Sequence, residues 1–104
     1  MKKVTQQTLL KMKRAGEKIA VLTAYDFATA KYLDESGIDV ILVGDSLGMT
    51  VLGYDDTVKV TMNEMVVFTK AVSKGVSNAM VIADMPFLSF QISKEQTLIN
   101  AEKL

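Results

Sequence analysis

The sequence predicts an α/β fold built on a parallel sheet, and three observations carry that prediction. The runs KIAVLTA (18–24), DVILVG (39–44) and AMVIAD (79–84) are short, rich in valine and isoleucine, and apolar without alternation. A strand with one wet face alternates, whereas a strand covered on both faces of a parallel sheet does not. Stretches with helical spacing and capping residues separate the three runs. A unit of helix, glycine, short turn, apolar strand and polar loop also recurs weakly around Gly16, Gly37 and Gly75. Alternation of this kind implies right-handed βαβ crossovers and strands that all run the same way.

Taken in order, the first element is a helix from roughly Thr5 to Arg14, ending at Gly16. The strand at 18–24 follows. DFATAKYLDESG then starts at Asp26 as an N-cap and stops at Gly37 as the residue after the helix. The strand at 39–44 runs into a loop that holds Gly44, Gly48 and Gly53. TMNEMVVFTKAVSKG opens with a capping box, Thr61-x-x-Glu64, and closes at Gly75. It sets Met62, Met65, Val66, Thr69 and Val72 on one stripe. After the strand at 79–84, SKEQTLINAEKL opens with a second box, Ser93-x-x-Gln96. That helix reaches Leu104 with no glycine, proline or closing strand behind it. Three parallel strands with one flanking layer leave edges and one face bare. Residues 1–104 therefore read as the N-terminal part of a single larger domain. A (β/α)8 barrel of ~250 residues fits, represented here by a helix and about three β/α units.

Composition narrows the function classes. Hydrophobic residues make up 49% of 104, enough for a packed core and against disorder. Twelve basic and twelve acidic residues cancel and are well mixed, so neither a nucleic-acid nor a membrane-surface partner is indicated. With no cysteine there is no disulfide or thiolate chemistry, and with no histidine the commonest general base and transition-metal ligand is missing. The start MKK leads into the polar VTQQTLLKMKR, which is not a signal peptide, and no run is long enough to span a membrane.

The chemistry is expected at the strand ends. In VILVGDSLGMTVLG, four apolar residues run into Gly44, Asp45 and Ser46; in AMVIADMPFLSF, an apolar run ends on Asp84. Each aspartate alone is most simply a turn residue. At matching positions on successive parallel strands, ~4.8 Å apart, the two carboxylates face one small volume, at the end where α/β folds place their chemistry. Like charges that close require a proton or a cation between them. An oxygen-only donor set points to a hard cation, with Mg²⁺ the first choice. Tyr25 could donate a hydrogen bond into this site or be a rim aromatic. Asp26 reads as a cap, Asp55 and Asp56 as a solvated turn, and the seven methionines as core filler. Gly44-x-x-x-Gly48 lacks the lysine and hydroxyl of a phosphate loop, which removes nucleotide binding.

The stretches LTAYD, VGDSLGMTVLGYDDT, VTMNEM and ADMPFLSFQIS together resemble the ketopantoate hydroxymethyltransferase family. That resemblance implies a TIM barrel and a cytoplasmic homo-oligomer, often a decamer. It implies a magnesium-dependent reaction of pantothenate biosynthesis. A hydroxymethyl group passes from 5,10-methylenetetrahydrofolate to 3-methyl-2-oxobutanoate, giving ketopantoate. Asp45 and Asp84 match the family's two metal-binding aspartates, and Asp45, Ser46 and Asp84 match positions that contact the α-keto acid. On this reading the glycines let backbone and substrate approach closely. The family's third acidic metal residue, its substrate-binding lysine and its proposed catalytic glutamate fall past Leu104, so this chain carries no catalytic residue and is expected to be inactive alone. Val67 and Phe68 stand where the family commonly has a tyrosine–histidine pair, and Phe90 where it has a tyrosine. Two alternatives are a non-catalytic fragment that self-associates, and another Mg²⁺-dependent TIM barrel acting on α-keto acids.

Overall fold

The computed structural model describes residues 3–104. Its first helix, α1 (Gln6–Ala15), is capped by Thr5, whose side chain accepts the Thr8 N–H while the Thr8 hydroxyl takes the Thr5 N–H. Gly16 ends it in the left-handed region, at φ 74°, with Lys13 and Arg14 in the last turn where cations suit the helix dipole. The sheet has strands β1 (Val21–Thr23), β2 (Val40–Val43) and β3 (Met80–Ala83), all parallel, in the order β1-β2-β3. The register sets Val21 beside Val40 and Val40 beside Met80.

Helix α2 (Phe27–Glu35) starts at Asp26, which accepts the Thr29 N–H, and is followed by Gly37 at φ 88°. Helix α4 (Met62–Gly75) carries the expected capping box, with Thr61 and Glu64 satisfying each other's backbone N–H groups. Its Met65, Thr69, Val72 and Gly75 are buried. It packs on α2 and lies against β2 and β3. The core is one cluster of Ala24, Ala30, Ile41, Val43, Leu47, Val60, Met65, Val72 and Ala79. No helix among the described residues is long and apolar enough to cross a membrane.

Three expectations are corrected. Only the central strand β2 is covered as the lack of alternation suggested. Val21 and Leu22 of the edge strand β1 are 50% and 51% exposed, and Ile82 of β3 is 43% exposed, while the helix packed on the sheet, α4, lies against β2 and β3. The glycine loop after β2 holds a short helix, α3 (Leu47–Thr50), which begins at the buried Leu47. Helix α4 closes at Gly75 as expected, with that glycine as its last residue. A Cβ there would lie 2.7 Å from the Phe27 carbonyl oxygen and 3.1 Å from the Lys31 nitrogen, so glycine is what lets α2 and α4 touch. The second capping box is half formed at the start of α5 (Lys94–Lys103): Ser93 accepts the Gln96 N–H at 3.1 Å, but the Gln96 amide donates to Asn100 Oδ1 at 3.3 Å. Asn100 is buried and donates to the Ser89 carbonyl at 2.8 Å, a tertiary anchor that fixes the side chain Gln96 meets.

Candidate active site at the strand ends

The parallel ladder brings three strand ends to one edge. β1 ends at Thr23, and the next residue, Ala24, donates its N–H to the Leu42 carbonyl at 3.2 Å, which holds Tyr25 over the end of β2. β2 passes into Gly44, Asp45 and Ser46. β3 passes into Asp84, whose N–H continues the ladder to the Val43 carbonyl at 3.0 Å. Two hydrogen bonds tie these ends together. The Asp45 N–H donates to Asp84 Oδ2 at 3.1 Å, and the Tyr25 hydroxyl meets Ser46 Oγ at 2.7 Å. Tyr25, Asp45, Ser46 and Asp84 are all half-buried.

Burial pushes the Asp45 carboxyl above its ordinary value, the Asp84 carboxylate adds to the rise, and Asp45's own N–H offsets part of it. Two acids sharing a partly dry edge therefore carry unrelieved repulsion. Gly44 supplies room. A Cβ there would rest 3.4 Å from Asp84 Oδ2 and 3.5 Å from Ser46 Oγ, so a side chain would fill the space that these oxygens border. Gly44 has no left-handed φ, so this room is what the missing side chain provides. Clustered carboxylate and hydroxyl oxygens without nitrogen or sulfur suit a hard cation such as Mg²⁺. Among the described residues no group of three or more acidic, histidine or cysteine side chains is placed to hold a metal.

The remaining candidates sort differently. Asp26 caps α2, taking the Thr29 N–H at 2.7 Å and the Thr29 hydroxyl at 3.0 Å. Asp55 and Asp56 are exposed, and Asp56 takes the Val58 N–H at 3.0 Å in a local turn. Met65 is core. Gly48 does not serve close substrate approach. Its Cβ would fall 2.3 Å from Val60 Cγ2 and 3.2 Å from Tyr54 Cδ2, so it is a packing glycine. Val67 is exposed, Phe68 packs on the core and Phe90 is exposed.

Two features escaped the sequence reading. Asp34, 5% exposed, accepts the N–H groups of Ser77 (2.9 Å), Asn78 (3.0 Å) and Ala79 (2.7 Å), locking α2 to the entry of β3. An acid near the C-terminal end of a helix, where the dipole disfavours it, was the available signal. The Tyr54 hydroxyl donates to Glu64 Oε2 at 2.7 Å while Glu64 Oε1 takes the Thr61 N–H at 2.8 Å, which ties the loop after α3 to the start of α4.

Comparison with known proteins decides the family. The family model described as ketopantoate hydroxymethyltransferase matches residues 3–104. This chain belongs to the ketopantoate hydroxymethyltransferase family. A 3-methyl-2-oxobutanoate hydroxymethyltransferase of Thermoanaerobacter sp. is 61% identical over 102 residues, covering 98% of this chain and 37% of that protein. The one from Acetivibrio thermocellus is 59% identical over 102 residues, covering 98% of this chain and 36% of that protein. The one from Pseudoalteromonas atlantica is 58% identical over 104 residues, covering all of this chain and 39% of that protein. The chain thus spans little more than a third of the length of these relatives. The match to the hydroxymethyltransferase family takes in both the Gly44–Ser46 turn and Asp84, so the whole of the strand-end cluster lies inside it.

Proposed function

We propose that this chain is the N-terminal portion of a magnesium-dependent enzyme with a TIM-barrel fold. The enzyme moves a hydroxymethyl group from 5,10-methylenetetrahydrofolate to 3-methyl-2-oxobutanoate, giving ketopantoate, in the cytoplasm and as a homo-oligomer. One observation supports this most directly: Asp45 and Asp84 meet at the ends of neighbouring parallel strands, joined by a hydrogen bond and with Ser46 beside them. Asp45 and Asp84 hold Mg²⁺ through their carboxylate oxygens. The bond from the Asp45 N–H fixes how the Asp84 carboxylate is turned. Ser46 binds the α-keto acid. When bound, the ion supplies Lewis-acid polarisation of the keto oxygen, which acidifies the adjacent C–H. The base that takes that proton comes from the part of the protein beyond Leu104.

The test uses the full-length protein and its Asp84→Asn variant. Wild type should form ketopantoate only with Mg²⁺ present, and Asp84→Asn should lose nearly all activity with unchanged circular dichroism. Near-normal turnover of the variant at limiting Mg²⁺ would remove the metal role. For the 104-residue chain alone, the exposed Val21, Leu22 and Ile82 favour a second reading, self-association through the sheet. A stable monomer at micromolar concentration in sedimentation would exclude it.

A further inference from the structure

We infer that Tyr25 is a positioning residue for the carboxylate of the α-keto acid: its phenol donates to Ser46 Oγ and so turns the single Ser46 hydroxyl proton toward the bound anion. The inference rests on the functional reading above and adds a residue and a role to it. Its basis is the 2.7 Å contact between the two hydroxyls, in which either oxygen can be the donor. Each hydroxyl has one proton, so the two arrangements differ in what Ser46 presents to the site. With Ser46 as donor, its proton is spent on Tyr25, and only lone pairs face a volume already bordered by two carboxylates. An anionic substrate would then receive no hydrogen bond from Ser46. With Tyr25 as donor, the Ser46 proton is free to point into the site.

Position favours the second arrangement. Ser46 Oγ and Asp84 Oδ2 border the same space beside Gly44. A hydroxyl proton directed there faces an acceptor oxygen, whereas a bare Ser46 lone pair would face another lone pair. Tyr25 is held for the task from both ends. Its backbone follows the Ala24 N–H bond to Leu42, and its half-buried ring packs on the core cluster. A relay of two hydroxyls ending on a carboxylate also strengthens each link, because each donated proton polarises the next. Tyr25 need not touch the substrate; it acts through Ser46.

The experiment is a double-mutant cycle in the full-length protein, with the folate donor saturating and 3-methyl-2-oxobutanoate varied. Tyr25→Phe keeps the ring and removes the hydroxyl. It should raise KM for the keto acid about tenfold, while kcat changes less than about twofold and the thermal midpoint stays close to wild type. Ser46→Ala should raise KM at least as much. Tyr25→Phe added to Ser46→Ala should do nothing further, because the relay has lost its second member. A wild-type KM in Tyr25→Phe, or a full tenfold effect persisting in the Ser46→Ala background, would overturn the assignment and leave the functional reading standing. A wild-type protein that forms no ketopantoate would overturn both.

Discussion

Asp34 and Asp45 are carboxylates at opposite ends of the same sheet, and the fold treats them in opposite ways. Asp34 sits where the chain enters β3, nearly out of reach of water, and three consecutive backbone N–H groups close on it. Asp45 sits where the chain leaves β2, half-buried, with a second carboxylate beside it. Burial pushes both carboxyls upward. At Asp34 the three N–H bonds outweigh burial and hold it below its ordinary value; at Asp45 the Asp84 charge reinforces burial. The same side chain is thus a completed structural joint at one end and an unmet demand for positive charge at the other. A buried acid with a lowered pKa whose donors are all backbone argues for stability, whereas a raised one facing another acid argues for a ligand.

Isosteric exchange is the sharpest way to break this contrast. In the full-length protein Asp45→Asn should cut turnover about a thousandfold, the scale of losing several kcal/mol of metal-assisted stabilisation, with no loss of stability. Asp34→Asn should do the reverse. An amide nitrogen among three N–H donors leaves at least one buried donor unmet, a cost of ~3 kcal/mol in chemical denaturation. Turnover per folded molecule should stay near wild type. Equal effects of the two substitutions on either measure would dissolve the distinction.

A further prediction probes the packing that Asp34 reinforces. In Gly75→Ala the new methyl would press within 2.7 Å of the Phe27 carbonyl oxygen, a backbone atom that cannot swing aside. Overpacking of this kind should outweigh the ~1 kcal/mol helix gain of alanine and leave a net loss of ~2 kcal/mol. A stability gain in Gly75→Ala would mean that α2 and α4 are free to part.

What the sequence made legible was local. Asp26, the Thr61–Glu64 box, Gly16 and Gly37 act within a few residues of themselves, and each does what its position implied. Asp45 and Asp84 could be paired because two strands of one direction end on them, an inference that needs only topology. The joint at Asp34 was hidden because its partners lie more than forty residues on and offer backbone, which has no residue signature. Gly48 gave a misleading signal, since a glycine needed for packing is spelled the same way as one that admits a substrate. Gln96 misled for a related reason: its amide met Asn100, whose anchor to Ser89 is tertiary. Lack of alternation promised coverage of every strand, but an edge strand obtains that only from whatever packs beyond it.

The comparison also has a pH signature. The Asp34 pKa is depressed on folding, so its stabilisation is present above the unfolded value near 3.8 and is lost as pH falls through the lower folded value. The Asp45 pKa is raised on folding, so its penalty is absent below 3.8 and sets in as pH rises from there through the folded value. Without added Mg²⁺, Asp45→Asn should therefore be more stable than wild type at neutral pH, the two converging in acid. Asp34→Asn should be less stable at neutral pH, with the gap closing at lower pH. Parallel pH curves for both variants would contradict the opposite shifts.

The smallest expected effect concerns a third carboxylate, Glu64, which stands between the two extremes. It is held below its ordinary value by the Tyr54 hydroxyl first, then by the Thr61 N–H, with burial acting against both and the Thr61 side chain adding a little. Its partner is pushed the other way: the bond to Glu64 raises the Tyr54 phenol, helped by burial and by the Glu64 charge. Both groups border water, so solvent screens the interaction and its weight in stability is slight. Tyr54→Phe removes the leading cause and spares the capping box, because Glu64 Oε1 and the Thr61 N–H are untouched. The Glu64 carboxyl should then titrate higher than in wild type, yet still below an ordinary glutamate, as followed by NMR of its side-chain carbonyl carbon. Full return to the ordinary value would mean that the box depends on Tyr54. No change would mean that the loop after α3 is not tied to α4 in solution, and the turn carrying Asp45 and Ser46 would lose one of its supports.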